Sequence, residues 1–360
     1  MLRTLLVAGT IGLAAALPRP QNIDFAAVDA IPTPAELGAP LAAAASAVPT
    51  YVPEQAAAKA ASEAASNPIT KRRSLVARAA CDPRPLGQGA PDTSPDTPEA
   101  FQTNFQYRNL AVDSHIPQGY DRVFNNLKAA NKQDGYLGFY TLSGYDTIRC
   151  RQYCDATKTC TAFNTYIERS PRVEPGAGCE NPHSTPVVKC ALFGLPVSAN
   201  TATNDGQFQA DFHVVIAGSN GFVKNAPPPS QPKFTGPKAL PGAINAPNES
   251  NSYVGVRTYN GPYDPSQCAA AAKEHNAYWQ RNTPNGQTYK PVNFFVAYVV
   301  SKNNQPKGTY CALYDRPWDS SFATNTGQYD NEGNYYDVSQ AYSYTLSQQD
   351  SGIKNSTISG

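Results

Sequence analysis

Histidine, methionine and charge are what this 360-residue chain has least of. It holds four His and one Met, and Asp, Glu, Lys and Arg together make up 16% of it, for a net charge of +1. No basic stripe appears past Arg78, which leaves a polyanion nothing to follow and argues against nucleic acid as a partner. No G-x-S-x-G elbow for a nucleophilic serine occurs, and nothing resembles a nucleotide or flavin fingerprint. Gly218-Ser219-Asn220-Gly221 reads instead as a turn after a strand. Long apolar runs are also missing. After Leu5–Ala16 no stretch approaches the about 20 residues needed to span a bilayer, and the polar end Ser351–Gly360 lacks a lipid-anchor signal.

What is present begins with two processing signals. Met1-Leu2-Arg3, an apolar run and Ala14-Ala15-Ala16 follow the order that signal peptidase reads. Residues 1–16 are therefore expected to be a signal peptide, cut after Ala16. Residues 17–73 are rich in Ala, Pro and Ser, too poor in large apolar groups to offset the entropy of ordering them. They are expected to form a disordered pro-segment. It ends at Lys71-Arg72-Arg73, a cluster suited to a kexin-type protease of the secretory route. The chain is thus expected to be secreted, to the extracellular space or the cell wall. The 21 Tyr and the many Asn, Gln, Ser and Thr fit an extracellular β-rich protein. In that compartment Asn248 and Asn355 stand in glycosylation sequons.

An internal duplication sets the architecture. Residues 190–208 align with 311–329 without a gap and share nine identities, among them Cys190-Ala-Leu with Cys311-Ala-Leu and Gly206-Gln with Gly327-Gln. Ordinary residue frequencies predict about one match. Upstream, Tyr136-Leu-Gly138, Thr141, Asp146 and Cys150 pair with Tyr253-Val-Gly255, Thr258, Asp264 and Cys268, with Pro262 extra in the second copy. Phe163 and Tyr166 match Phe295 and Tyr298. Each copy is expected to run strand, Cys-bearing helix, strand, Cys-bearing strand, Gly-Gln turn, last strand, with Asp146 and Asp264 as helix N-caps. The last strands are expected at 212–217 and 341–346. Residues 74–105, with Cys81, form an N-terminal extension; module 1 covers 106–223 and module 2 covers 251–348, leaving a tail at 349–360. Repeated prolines make 224–250 a semi-rigid spacer.

Eight cysteines in an exported chain suggest four disulfides, and spacing alone leaves many connectivities open. The duplication narrows them. Module 2 holds only Cys268 and Cys311, which are expected to bond each other, and by analogy Cys150 bonds Cys190. Cys154 and Cys160 would tie the helix to the next strand, and Cys81 and Cys179 remain as a candidate pair. The chain-entropy contribution is roughly 4 kcal/mol for the Cys150–Cys190 loop and roughly 2 kcal/mol for Cys154–Cys160. Zinc is the rival occupant of a C-x3-C pair, but export favours disulfides.

Cys150-x3-Cys154-x5-Cys160-Thr-Ala-Phe-Asn-Thr-Tyr166, with Lys189-Cys190-Ala-Leu192 later, resembles the PAN/apple module. Together with Ile167-Glu-Arg169, Glu174-Pro175 and Cys179-Glu-Asn-Pro182, the stretch is similar to a group of secreted ascomycete proteins with PAN-like repeats. The resemblance covers about 106–348. It implies an α+β fold of two tandem modules, each a curved antiparallel sheet with one packed helix, and it implies the same two bridges within module 1. Module 2 departs from the pattern: Ala272 stands where the second helix Cys would be, and an insertion around Trp279–Lys290 lengthens its helix-to-strand loop. The bridge that links the termini of apple modules is missing from both copies.

Catalytic chemistry is hard to assemble. His213 falls in an expected strand, His183 in a loop beside Cys179, and His115 and His275 have no partner motif. Glu168 at a strand end and Glu174 in a Pro-rich loop are the nearest approach to a carboxylate pair for sugar hydrolysis. Asp330–Asp337 lacks calcium-hand spacing and reads as a turn. The chain is expected not to be an enzyme and to need no cofactor or metal. Binding remains. The family resemblance implies contacts with protein or carbohydrate, so the expected partner is an extracellular glycan or protein, with two modules offering avidity. Trp279, Trp318, Tyr335 and Tyr336 are candidate contacts, set against the ordinary place of aromatics in a core.

Overall fold

Strand, helix and loop in this protein follow the duplicated pattern, with additions at the N-terminus. The computed structural model describes residues 23–42, 46–65 and 79–354. The expected signal segment with Ala16, the cluster Lys71-Arg72-Arg73 and the sequon residue Asn355 lie outside the described residues. Four helices come first: α1 (Phe25–Asp29), α2 (Pro53–Ala65), α3 (Pro98–Gln102) and α4 (Phe105–Val112). Module 1 follows with β1 (Tyr120–Leu127), β2 (Tyr136–Leu142), α5 (Thr147–Ala156), β3 (Ala162–Pro171), β4 (Ser184–Phe193), β5 (Gly206–Gln209) and β6 (Phe212–Lys224). Module 2 comprises β7 (Phe234–Ala239), β8 (Tyr253–Tyr259), α6 (Pro265–Asn282), β9 (Phe294–Lys302), β10 (Gln305–Tyr314), β11 (Gly327–Tyr329) and β12 (Tyr335–Leu346).

Each module is an antiparallel six-stranded sheet. The first runs β1-β6-β3-β4-β2 with β5 also on β6, and the second β11-β12-β9-β10-β8 with β7 also on β12. Equivalent strands hold equivalent places, so the duplication in sequence is a duplication of topology. Asp146 caps α5 by accepting from Arg149 N at 2.8 Å, and Asp264 caps α6 by accepting from Ser266 N at 3.0 Å. These bonds satisfy first-turn donors that a helix leaves unpaired. Disulfides join Cys150 to Cys190, Cys154 to Cys160, Cys268 to Cys311 and Cys81 to Cys179, the pairs to which the duplication and the remaining cysteines lead.

Several expectations need correction. The spacer at 224–250 is not a spacer: β7 lies within it and pairs with β12, and Phe234, Ala243, Ile244 and Ala246 are buried in module 2. Pro237, the one proline within β7, suits an edge strand, which needs fewer backbone donors than an inner one. The modules also touch directly. Tyr263 N donates to Gly194 O at 2.7 Å, and a Cβ on Gly194 would fall 2.1 Å from Pro262 Cβ. The residue extra in the second copy thus sits at the junction. Gly206-Gln207 and Gly327-Gln328 open short strands rather than turns. Gly218–Gly221 lies inside β6, where it makes an irregular stretch of ladder against β1 and β3. The insertion in module 2 lengthens the helix as well as the loop: α6 has 18 residues where α5 has 10. The described part of the tail packs on module 2, with Asp350 accepting from Tyr289 and donating its N–H to Asn293 Oδ1.

The largest correction concerns 17–73. Its described parts are ordered and packed, not disordered. β3 and β4 are buried along their whole length, so both faces of that sheet need cover. Side chains alternate across a strand: Cys190 points to α5, and Lys189 to the opposite face. The N-terminal segment supplies the cover there, with Ala39 and Ala42 buried on module 1 and Ile23 and Val28 buried on module 2. α2 lies along α6, with Ala60 packed among Ala269, Ala271 and Ala272, small side chains that let two helices approach closely. Burying Ile23 or Val28 contributes about 1.5–3 kcal/mol each. Composition misled because a few apolar side chains, among them Ile23, Phe25, Val28 and Tyr51, joined by alanine and backbone contacts, suffice where the sheets leave a face uncovered. The 74–105 extension is likewise part of module 1: Phe101 is buried in its helix-side core and Asp96 pairs with Arg169 at 2.9 Å.

Candidate functional site

The carboxylates proposed from sequence do not form a pair. Glu168 lies inside β3, fully buried, with both its oxygens 2.9 Å from Lys189 Nζ and further bonds from Ser170 Oγ and Ala42 N, each at 2.7 Å. Lys189 also donates to Pro40 O at 2.8 Å and lies 5.1 Å from the centre of the Phe139 ring. Burial pulls the Lys189 pKa down while the neighbouring carboxylate holds it up. Glu174 is bound to Arg84 at 2.6 Å. Both acids are therefore committed to cations. Among the described residues no group of three His, Cys, Asp or Glu side chains is placed to hold a metal ion. His183 is exposed beside Asp96, and His213 lies in β6. The Asp330–Asn334 stretch is the turn between β11 and β12, closed by Asp330 accepting from Glu332 N and Asn334 N.

Of the aromatics singled out in the sequence, Tyr336 is buried under Phe25 and Trp318 packs on Phe322 while donating to Ser252 Oγ at 3.0 Å. Trp279 is 42% exposed on α6, edge-on to Tyr278. Tyr335 is half-buried and pairs with a ring not among those candidates, Tyr329. Tyr329 is 70% exposed and its ring lies 4.7 Å from that of Tyr335. At the equivalent place in module 1, Phe208 is 67% exposed and stacks on His213 at 4.2 Å. The duplicated Gly-Gln-aromatic triplets carry these rings. Gly206 has φ +117°, and a Cβ there would lie 1.9 Å from Val214 O; a Cβ on Gly327 would lie 2.4 Å from Tyr335 Oη. Only glycine lets the short strand come this close to its neighbour, and the register sets Phe208 opposite His213 and Tyr329 opposite Tyr335.

Polar groups flank the second pair. Asn303 Nδ2 donates to Asn334 Oδ1 and Asn334 Nδ2 to Asp330 Oδ2, both at 2.8 Å. Hydrogen bonds from Asn334 hold the Asp330 carboxyl below its ordinary range. An open ring face beside amides and a carboxylate suits a ligand with an apolar face and a rim of hydroxyls. The signal in the sequence was available: the alignment of 190–208 with 311–329 ends on Phe208 and Tyr329 themselves.

A second feature belongs to module 1 alone. A cleft of about 540 Å³ opens between residues 85–88 and the N-terminus of α5, lined by Gln88, Thr141, Asp146, Arg149 and Tyr153. Tyr153 stacks on Tyr140 at 3.8 Å and Arg149 covers its ring at 4.7 Å, so the cleft offers polar groups but no free ring face. Burial raises the Tyr140 pKa, with Tyr153 adding to it. In module 2 the equivalent place is taken by Tyr51, whose Oη donates to Asp264 at 2.8 Å and accepts from Gln267 at 3.2 Å. Asn248 is exposed at the start of a short turn before β8. No family model, curated protein or solved structure matches the chain. Among the described residues no helix is long and apolar enough to cross a membrane; the four disulfides fit an extracellular protein.

Proposed function

We propose that this is a secreted, non-enzymatic carbohydrate-binding protein, built of two PAN/apple-like modules and directed to cell-wall polysaccharide or glycan. The observation that carries the reading is a repeated exposed ring on a half-buried one, Phe208 on His213 and Tyr329 on Tyr335, at one place in both modules. Exposed rings scattered singly are ordinary, but a ring presented twice by the same glycine-dependent strand gives two stacking platforms. Two weak platforms on one body bind a repeating polymer with avidity when the spacing permits. That Glu168 and Glu174 are tied to Lys189 and Arg84 supports binding over hydrolysis.

The test is depletion of the protein from solution by insoluble chitin, β-glucan and cellulose at high salt. Phe208→Ala and Tyr329→Ala are each expected to weaken retention about tenfold, some 1.4 kcal/mol, and the double variant more than either. Retention by none of the three polymers, or retention indifferent to both rings, overturns the reading and leaves a protein ligand. That second reading is favoured by the hold that both sheets already have on backbone groups of the N-terminal segment, through Lys189 and Tyr310.

A further inference from the structure

The N-terminal segment meets the rest of the protein at three places, and at each it completes something the modules lack. On module 1, Pro40 O and Ala42 N are bonded to Lys189 and Glu168, and Ala42 O accepts from Arg84 Nη1 at 3.0 Å. Ala47 continues the sheet by pairing with Phe139. On module 2, Asp24 N donates to Tyr310 Oη at 2.9 Å, Ile23 N to Gln328 Oε1 at 2.8 Å, and Asp29 binds Lys302 and Tyr336. On α6, α2 buries Ala60, and Tyr51 bonds Asp264 and Gln267. Lys189 and Tyr310 are equivalent positions of the repeat, each one residue before the bridging Cys. One segment thus seals the same face of both sheets.

No disulfide ties this segment to the modules: the first cysteine of the chain is Cys81, and all eight are paired among themselves. Cleavage at Lys71-Arg72-Arg73 would leave it held by contacts alone. We propose that it is not shed: the working protein is a two-chain molecule in which the 17–73 fragment, through residues 23–42 and 46–65, stays bound as a non-covalent subunit. Its loss would leave the buried Lys189–Glu168 pair without two of its backbone partners and bare the apolar faces around Tyr166 and Tyr298, an outcome opposed by both desolvation and hydrophobic burial.

The full chain, secreted and purified, is treated with a kexin-type endoprotease and run by native gel filtration. The eluted peak is then resolved under denaturing conditions without reductant. The expected result is a fragment ending at or near Arg73 that co-elutes one-to-one with the 74–360 chain and separates only in denaturant. A fragment that leaves on cutting, or a backbone that the protease does not cut, overturns the proposal. Val28→Asp combined with Ala60→Asp is expected to lower retention in the cut protein at least about tenfold. Undiminished retention in that variant refutes the assigned contacts. The wild-type experiment stands whether or not the variant folds.

Discussion

Module 1 and module 2 share one topology and are closed by different chemistry. On the face away from the helix, module 1 sets the ion pair Glu168–Lys189 where module 2 sets Val300 and Tyr310, the latter stacked on Tyr298 at 4.7 Å. On the helix side, module 1 uses the Cys154–Cys160 clip on a short α5, whereas module 2 extends α6 and lays α2 along it, with Ala272 at the place of Cys154. A repeated backbone fixes where a seal is needed. It leaves open whether charge, aromatic packing, sulfur or a second helix provides it.

The outer faces offer the hardest test of this comparison. Lys189→Met leaves the Glu168 carboxylate buried without its cation and is expected to destabilise the protein by about 3–5 kcal/mol. Tyr310→Phe removes one hydrogen bond from Asp24 N and should cost about 0.5–1.5 kcal/mol. Denaturant unfolding measures both, and equal losses would break the distinction. Combining Glu168→Val with Lys189→Tyr rewrites module 1 in the terms of module 2 and should recover most of the Lys189→Met loss.

The junction comes next in size. Gly194→Ala sets a methyl 2.1 Å from Pro262 Cβ, and overpacking of this kind costs about 1–3 kcal/mol. Thermal unfolding checks it. No change would mean that the modules move apart without penalty, and that their contact adds little to either.

The smallest expected effect is one of sign. Burial works against the charge of Asp96, but hydrogen bonds from Ser184 Oγ and N and from Arg169 outweigh it and hold the carboxyl below its ordinary value. Its contribution is present above the unfolded value of about 3.9 and is lost as pH falls through the lower folded value. Burial raises Asp264 above its ordinary value, against the bonds from Ser266 and Tyr51. Its folded form takes up a proton more readily, so stability falls as pH rises from the unfolded towards the folded value. Stability curves between about pH 3 and 6 should therefore show less acid loss in Asp96→Asn and more in Asp264→Asn. Parallel curves would show that neither carboxyl sets the pH response.

Much of this was legible in the chain. The gapless match of 190–208 with 311–329 predicts two like modules, and with only two cysteines in the second copy it leads to Cys268–Cys311 and Cys150–Cys190; Cys154–Cys160 follows from their places at the helix and the next strand, and Cys81–Cys179 is the pair left over. The Asp before each helix predicts its cap, because an N-cap is a local bond between residues two or three apart. The exposed rings were readable too, since Phe208 and Tyr329 close the aligned window, but exposure is not written in residue type. Trp318 and Tyr336 were equally eligible, yet Trp318 is half-buried against Phe322 and Tyr336 is buried.

Local pattern, internal repetition and the bridges that repeat are properties of neighbouring or matched residues, and these can be read along the chain. The packing of residues 23–42 and 46–65 and of the proline-rich stretch before β8 depends on partners far along the chain. Neither has the apolar content to fold alone, and their order comes from backbone bonds and a few buried side chains, such as Ile23 and Ile244, set against sheets that leave a face uncovered. That dependence is long-range: Ala42 meets Glu168 and Asp24 meets Tyr310 across more than a hundred residues. No window of sequence contains both halves of such a contact.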